Sequence, residues 1–173
     1  MVGEPAVPQR LSLLAMSEPV QPRVFLVIVD ETAEHRVAVH YAARRAAHTG
    51  GRLALLHVIE PVEVQHWISV QELAREERRD AAEQLLQQIC EEVSPIAGAM
   101  PVVYIREGRA QDELLALINE EPSISILVLA AGIGQAGPGP LVSHLTGKAA
   151  ARLRIPITIV PGGLTLEQID ALS

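Results

Sequence analysis

Three groups of residues in this sequence have types and spacings that could do chemistry. The first is the acidic pair Asp30-Glu31, placed directly after an aliphatic run at 24–29. A carboxylate at the end of a buried strand can accept hydrogen bonds from a ligand, or from the free amides of a following helix, and Asp30 is open to both roles. The second is the stretch 131–140, which holds Gly132, Gly134, Gly137 and Gly139. Successive backbone N–H groups in such a run can curl into an anion-binding nest. A helix beginning near Pro140 would add its positive dipole end, and proline suits the first helical position. The third is Ser143-His144, neighbours in sequence, which does not put them in hydrogen-bonding geometry. With no Gly-x-Ser-x-Gly elbow in the chain, no catalytic nucleophile is specified and no catalytic residue is assigned.

Several sharper patterns fail on their surroundings. Residues 132–137 spell G-x-G-x-x-G after a strand, but Pro138 and Pro140 keep a helix from opening inside the motif. No acidic residue follows about twenty positions on, as a dinucleotide site requires. Gly147-Lys148 resembles the end of a phosphate-binding loop, yet Val142 stands where its first glycine belongs and Ala149 follows the lysine. Lys148 is read instead as a residue on the exposed or ligand-facing side of the last helix. An acidic receiver pocket would need an Asp after the third strand and a Lys after the fifth, where the chain reads "YIREGR" and "VPGG". The six histidines show no helical His-x3-His pair and no cysteine neighbour, so spacing supports no metal site. His57, within an apolar strand, reads as a hydrogen-bonded core residue. Cys90, the single cysteine, lies in an apolar stripe and reads as a small buried hydrophobe, with no redox cofactor implied.

Bulk properties narrow the class. Apolar residues make up 49% of 173, enough for one buried core, while only Phe25, Tyr41, Trp67 and Tyr104 are aromatic. Ala, Val, Ile and Leu must therefore fill that core, the palette of a parallel sheet covered on both faces. A net charge of −7 lacks the basic footprint of nucleic-acid binding, and the mixed-sign run at 75–79 reads as a solvated helix face. No stretch has the roughly eighteen apolar residues that cross a membrane. Residues 1–22 carry four prolines and read as a disordered tail, with Met16 an alternative start to Met1. The expected compartment is the cytoplasm.

The elements that would position these groups alternate regularly. Strands are expected at 24–29, 53–59, 102–105, 124–130 and 157–160. Helices are expected at 31–48, with Thr32 as N-cap and Gly50-Gly51 as the stop, and at 111–119. A longer helix would carry Val70, Leu73, Glu77, Ala81, Leu85, Ile89 and Val93 on one face, from an N-cap at Ser69 to a stop at Pro95. A last helix is traced by Leu141, Leu145, Ala149 and Leu153 at spacing four, leaving 162–173 as a C-terminal tail. Five strands alternating with four helices predict a parallel α/β sheet with right-handed crossovers.

Four segments resemble the universal stress protein family: "VFLVIVDET", "LALLHVIEP", "VLAAGIGQAGPGPLVSHLTGKAAARL" and "IPITIV", which together span residues 23–161. The resemblance implies an adenine nucleotide alpha-hydrolase-like fold with strand order 3-2-1-4-5, and a homodimer paired through the fifth strands. In that order the connections leaving strands 1 and 4 diverge, which opens a ligand crevice beyond their ends. It further implies ATP or a related adenine nucleotide there, with Asp30 on the nucleotide and the Val58 backbone reading adenine. The family's phosphate-cradling segment, Gly-x2-Gly-x9-Gly-Ser/Thr, falls on Ala130, Ile133, Ser143 and His144, so the spacing persists with other residue types. Gly132, Gly134, Gly137 and Gly139 offer a rearranged cradle. The function implied is a stress-associated regulator with weak ATP hydrolysis at most. The alternative is a nucleotide-free dimeric scaffold acting through protein contacts.

Overall fold

A computed structural model describes residues 21–30, 32–61, 68–134, 137–147 and 149–173, with the side chains of 68–70 excepted. The expected tail at 1–22, apart from Gln21 and Pro22, lies outside the described residues, as do Glu31, Trp67 and Lys148. The strands are β1 (Val24–Ile28), β2 (Arg52–Ile59), β3 (Val102–Glu107), β4 (Ile124–Ala131) and β5 (Ile157–Pro161). They form one parallel sheet in the order β3-β2-β1-β4-β5. Among the described residues the helices are α1 (His35–Thr49), α2 (Ile68–Ala97), α3 (Ala110–Glu120), α4 (Pro140–Thr146) and α5 (Leu166–Leu172).

Strand alternation divides the apolar residues between two cores. Phe25, Val27 and Val29 point toward α1 and α2, while Val24 and Leu26 point toward α3 and α4. β1 is thus buried on both faces, as its unbroken aliphatic run requires. Cys90 belongs to the first core, and burial pushes its thiol pKa up, away from reactivity.

Four local expectations are corrected. Helix α1 starts at His35 rather than at residue 31, with Glu34 at the N-cap and no side-chain cap there. Thr32 is drawn into a turn by Asp30 instead. Its stop is as expected: Gly50, at φ 65°, turns its N–H back to the carbonyls of Ala46 and Ala47. In α2, Ile68 opens the helix, so Ser69 is inside it, and Pro95 does not end it. Proline removes only its own N–H bond, and the helix continues to Ala97 before Gly98 turns at φ 77°. The buried stripe of α2 is Ala82, Leu86, Ile89, Cys90, Val93 and Ala97, rotated from the expected one; Leu73 is 59% exposed. From Gln71 to Ala81 no residue is buried, so the first half of this 30-residue helix overhangs the sheet.

The last two corrections lie near the C-terminus. Gly147 ends α4 after seven residues, and a 3₁₀ turn at Ala150–Arg152 follows. Leu145 and Ala149 are nonetheless buried, so the apolar spacing was legible although the helix does not run through it. Residues 162–173 are more than a tail. Thr165 and Gln168 form a reciprocal capping box that opens α5, and Ile169 is fully buried against the first core. Asp170 accepts from His40 Nε2 at 2.7 Å and lies 3.0 Å from Arg44 Nε, tying α5 to α1.

Truncating Ile169→Ala should cost about 2–5 kcal/mol in urea unfolding, the range for emptying a fully buried aliphatic site. The His40 hydrogen bond, helped by Arg44, holds the Asp170 carboxyl below its ordinary pKa. A lowered carboxylate stabilises the fold above its unfolded value and loses that contribution as pH falls through the folded one. Below about pH 4 the wild type should therefore lose stability more steeply than Asp170→Asn, measured by denaturation at stepped pH.

Candidate functional site

β1 ends where its neighbours part company. β2 continues toward α2 on one side, and β4 continues into the glycine-rich loop on the other. Asp30, two residues past β1, stands at that divergence. Its Oδ1 accepts from the Thr32 amide at 3.0 Å and from the Thr32 hydroxyl at 2.5 Å. This turn stops the chain from entering α1 early, which is why the helix starts later than its composition suggests. His35 Nδ1 lies 2.6 Å from the Thr32 carbonyl, which can only accept, so the ring donates there and packs over the turn. Asp30 thus serves the turn through Oδ1, and Oδ2 has no hydrogen bond to any described residue.

On the β2 side of Asp30 is a cleft of about 530 Å³. Ile28, Val58 and Ile59 line its floor, Ala81, Ala82 and Leu85 of α2 form one wall, and Ala110 stands at the opening of α3. The polar members are Asp30, His57, Glu60 and Arg78. His57 Nδ1 donates to the Val29 carbonyl at 2.9 Å, which fixes the tautomer and leaves Nε2 as an acceptor. Glu60 does two things: its carboxylate accepts the Ala110 N–H at 3.2 Å, and its carbonyl accepts from Arg78 Nη1 at 3.2 Å. A flat apolar group with a few hydrogen-bonding edges fits such a cleft.

On the β4 side a smaller cavity of about 150 Å³ is lined by Asp30, Thr32, Glu34 and His35 facing Ala130, Gly132 and residues 138–142. Asp30 and Ile28 line both spaces, so the two are halves of one crevice. The loop closes on itself: Gly132 N–H donates to Pro138 O at 3.2 Å, and Gly137 N–H to Gly134 O at 3.4 Å. Gly134, Gly137 and Gly139 hold positive φ values of 126°, 80° and 96°. Across the cavity Glu34 packs against Gly162, where a Cβ would fall 2.6 Å from Glu34 Cγ and 2.5 Å from the Ala131 carbonyl oxygen.

Of the residues singled out from the sequence, Asp30, Val58, Ala130, Gly132 and Gly139 line the crevice. Gly134 and Gly137 shape the loop without lining either cavity. Ser143 is exposed on α4, His144 is half-buried beside it, and neither lines the crevice. Ile133 is 65% exposed. Helix α4 opens at Pro140, beyond the G-x-G-x-x-G letters, and two turns give it little dipole. His57 is half-buried and hydrogen-bonded, as expected, and also faces the cleft. Arg78 and Glu60 went unrecognised. Arg78 sits within a run of alternating charge, but its spacing of three, four and seven to Ala81, Ala82 and Leu85 puts it on the cleft face. Among the described residues no group of three His, Cys, Asp or Glu side chains is arranged to hold a metal.

Comparison with known proteins now has a geometry to meet. Residues 22–161 match the model of the universal stress protein family. Universal stress protein UspA from Lactobacillus plantarum superposes with a TM-score of 0.68 at 16% identity, covering 82% of this chain and 99% of that one. A universal stress protein from Archaeoglobus fulgidus in complex with dAMP gives 0.58 at 14%, covering 80% and 98%. A universal stress protein in complex with cAMP gives 0.55 at 18%, covering 82% and 98%. At these identities the likeness establishes the fold. A comparison with curated proteins finds no match.

The contact of Glu34 with Gly162 has a measurable consequence. Gly162→Ala forces Glu34 and the ends of β4 and β5 apart, and should destabilise the protein by about 1–3 kcal/mol, the usual cost of overpacking. Denaturant titration would read it, and a neutral result would mean that the approach is looser than the geometry indicates.

Proposed function

The chain belongs to the universal stress protein family, and from that footing we propose that it binds an adenine nucleotide in the crevice around Asp30. The observation that carries the reading is the joint lining of both cavities by one carboxylate at the strand-order reversal. Asp30 Oδ2 accepts a ribose hydroxyl, and the Val58 backbone meets the edge of the base. The base lies between the apolar floor and the α2 wall. Relatives of the same fold in complex with cAMP and dAMP support an adenine ligand. The protein acts as a stress-associated regulator in the cytoplasm, by binding rather than turnover, since among the described residues no nucleophile and base converge in the crevice.

The regulator works as a homodimer through β5. Both edge strands of the sheet offer unpaired backbone and an aliphatic residue 41% exposed, Val103 and Ile159, but β3 also carries Arg106 and Glu107, whereas β5 reads "ITIVP" without a charge. Uncharged edges are the ones that pair with another chain. Ile159→Lys should shift the protein to monomers in sedimentation velocity; an unchanged sedimentation coefficient would remove β5 from the interface.

Nucleotide binding is tested by thermal melting with AMP. A ligand at a hundred times its Kd stabilises by about 2.7 kcal/mol, a rise of several degrees for a chain of this size. The rise should saturate in the wild type and vanish in Asp30→Ala. A wild type indifferent to millimolar AMP and ATP would favour the nucleotide-free scaffold.

A further inference from the structure

Resting on the adenine reading above, we infer that the crevice is selective by charge: it takes a nucleoside carrying at most one phosphate, directs that phosphate to Arg78, and turns triphosphates away through Glu34.

The loop-side cavity, where a phosphate chain leaving Asp30 toward the glycines would run, is lined by the carboxylates of Asp30 and Glu34. No Lys or Arg lines it among the described residues. His35 has its Nδ1 committed to the Thr32 carbonyl. Glycine-rich loops hold phosphate by pointing amides at it. Here Gly132 and Gly137 donate within the loop, and Pro138 and Pro140 have no N–H to offer. Of the residues lining the cavity on this side, Gly139, Leu141 and Val142 keep amides without an acceptor among the described residues, so backbone dipoles and no cation face a phosphate there. Glu34 is half-buried and pressed against Gly162, and its carboxylate makes no hydrogen bond or ion pair with any described residue. That carboxylate lines the cavity. A chain of four negative charges meets two carboxylates there, with no Lys or Arg among the described lining residues opposite it.

The base-side cleft has the opposite character. Arg78 is the one Arg or Lys among its described lining residues. Its Nε donates to Ala74 O at 2.9 Å and its Nη1 to Glu60 O at 3.2 Å, which fixes the guanidinium plane. Nη2 has no partner among the described residues and remains for a ligand oxygen. The α3 N-terminus, a second place where an anion could settle, is already taken by the Glu60 carboxylate. One cation and one fixed orientation suit a single phosphate.

Isothermal titration of adenosine, AMP, ATP and Mg-ATP into the wild type, Glu34→Gln and Arg78→Met tests this. AMP should bind the wild type at least about tenfold tighter than either form of ATP. Glu34→Gln should tighten ATP about tenfold and leave adenosine within about twofold. Arg78→Met should reduce AMP affinity to that of adenosine while adenosine holds. ATP binding the wild type as tightly as AMP, or an ATP-to-AMP ratio unmoved by Glu34→Gln, would overturn the selectivity while leaving the adenine site standing. Silence toward every adenine ligand would instead overturn the adenine reading itself, and the selectivity with it.

Discussion

The constraint on which the rest of this structure depends is the burial of β1 on both faces. A strand covered on both faces and paired on both edges has only its ends left to meet solvent. Its C-terminal end is also the point where the chain's connections diverge, one toward α1 and one set toward the loop after β4. Any polar group placed just past that end is therefore exposed yet held by the stiffest part of the molecule. Asp30 is that group. Its Oδ1 fixes the local turn and the residue lines both halves of the crevice, so it links the start of α1 to the site.

Around this fixed point the two sides of the crevice differ in how they are supported. The base side has apolar walls anchored in both cores, with His57 and Arg78 each oriented by a backbone carbonyl. Its outer wall is the overhanging half of α2. That half is held by Arg75 and Arg79 on Glu107, with Arg75 Nη2 at 2.6 Å, rather than by buried apolar contacts. Exposed ion pairs of this kind contribute about 0–1 kcal/mol each. The overhang is thus the low-stability part of the site, and a ligand filling the cleft would add the apolar contact that the helix otherwise lacks. The loop side has the reverse arrangement, a backbone that closes on itself beside the carboxylates of Asp30 and Glu34.

Sequence patterns reached the sheet because each strand is an uninterrupted aliphatic run bounded by charge, glycine or proline. The strand order came from family resemblance, since nothing local encodes which buried strand lies beside which. Helix ends were less legible. Thr32 had the composition of an N-cap, but Asp30 reached it first. Pro95 looked like a stop, but a proline one turn from the end costs a single hydrogen bond. Leu145 and Ala149 keep a helical spacing across Gly147, which the backbone does not follow. Helix α5 is too short for periodicity to register, although the spacing of Thr165 and Gln168 is a capping box in plain letters. In the crevice, Asp30 was readable from a strand end, whereas Val58 came from family resemblance. Arg78 was hidden because a charge on the cleft face of a helix has the same spacing as one on its wet face.

The account makes the base side, not the glycine loop, the seat of binding, and hydrogen–deuterium exchange with and without AMP addresses that directly. Binding should slow exchange at the ends of β1 and β2 and along residues 78–85 of α2, where the overhang gains its missing contact, with little change at 132–139. Protection confined to the glycine loop, or none at α2 under saturating ligand, would contradict it.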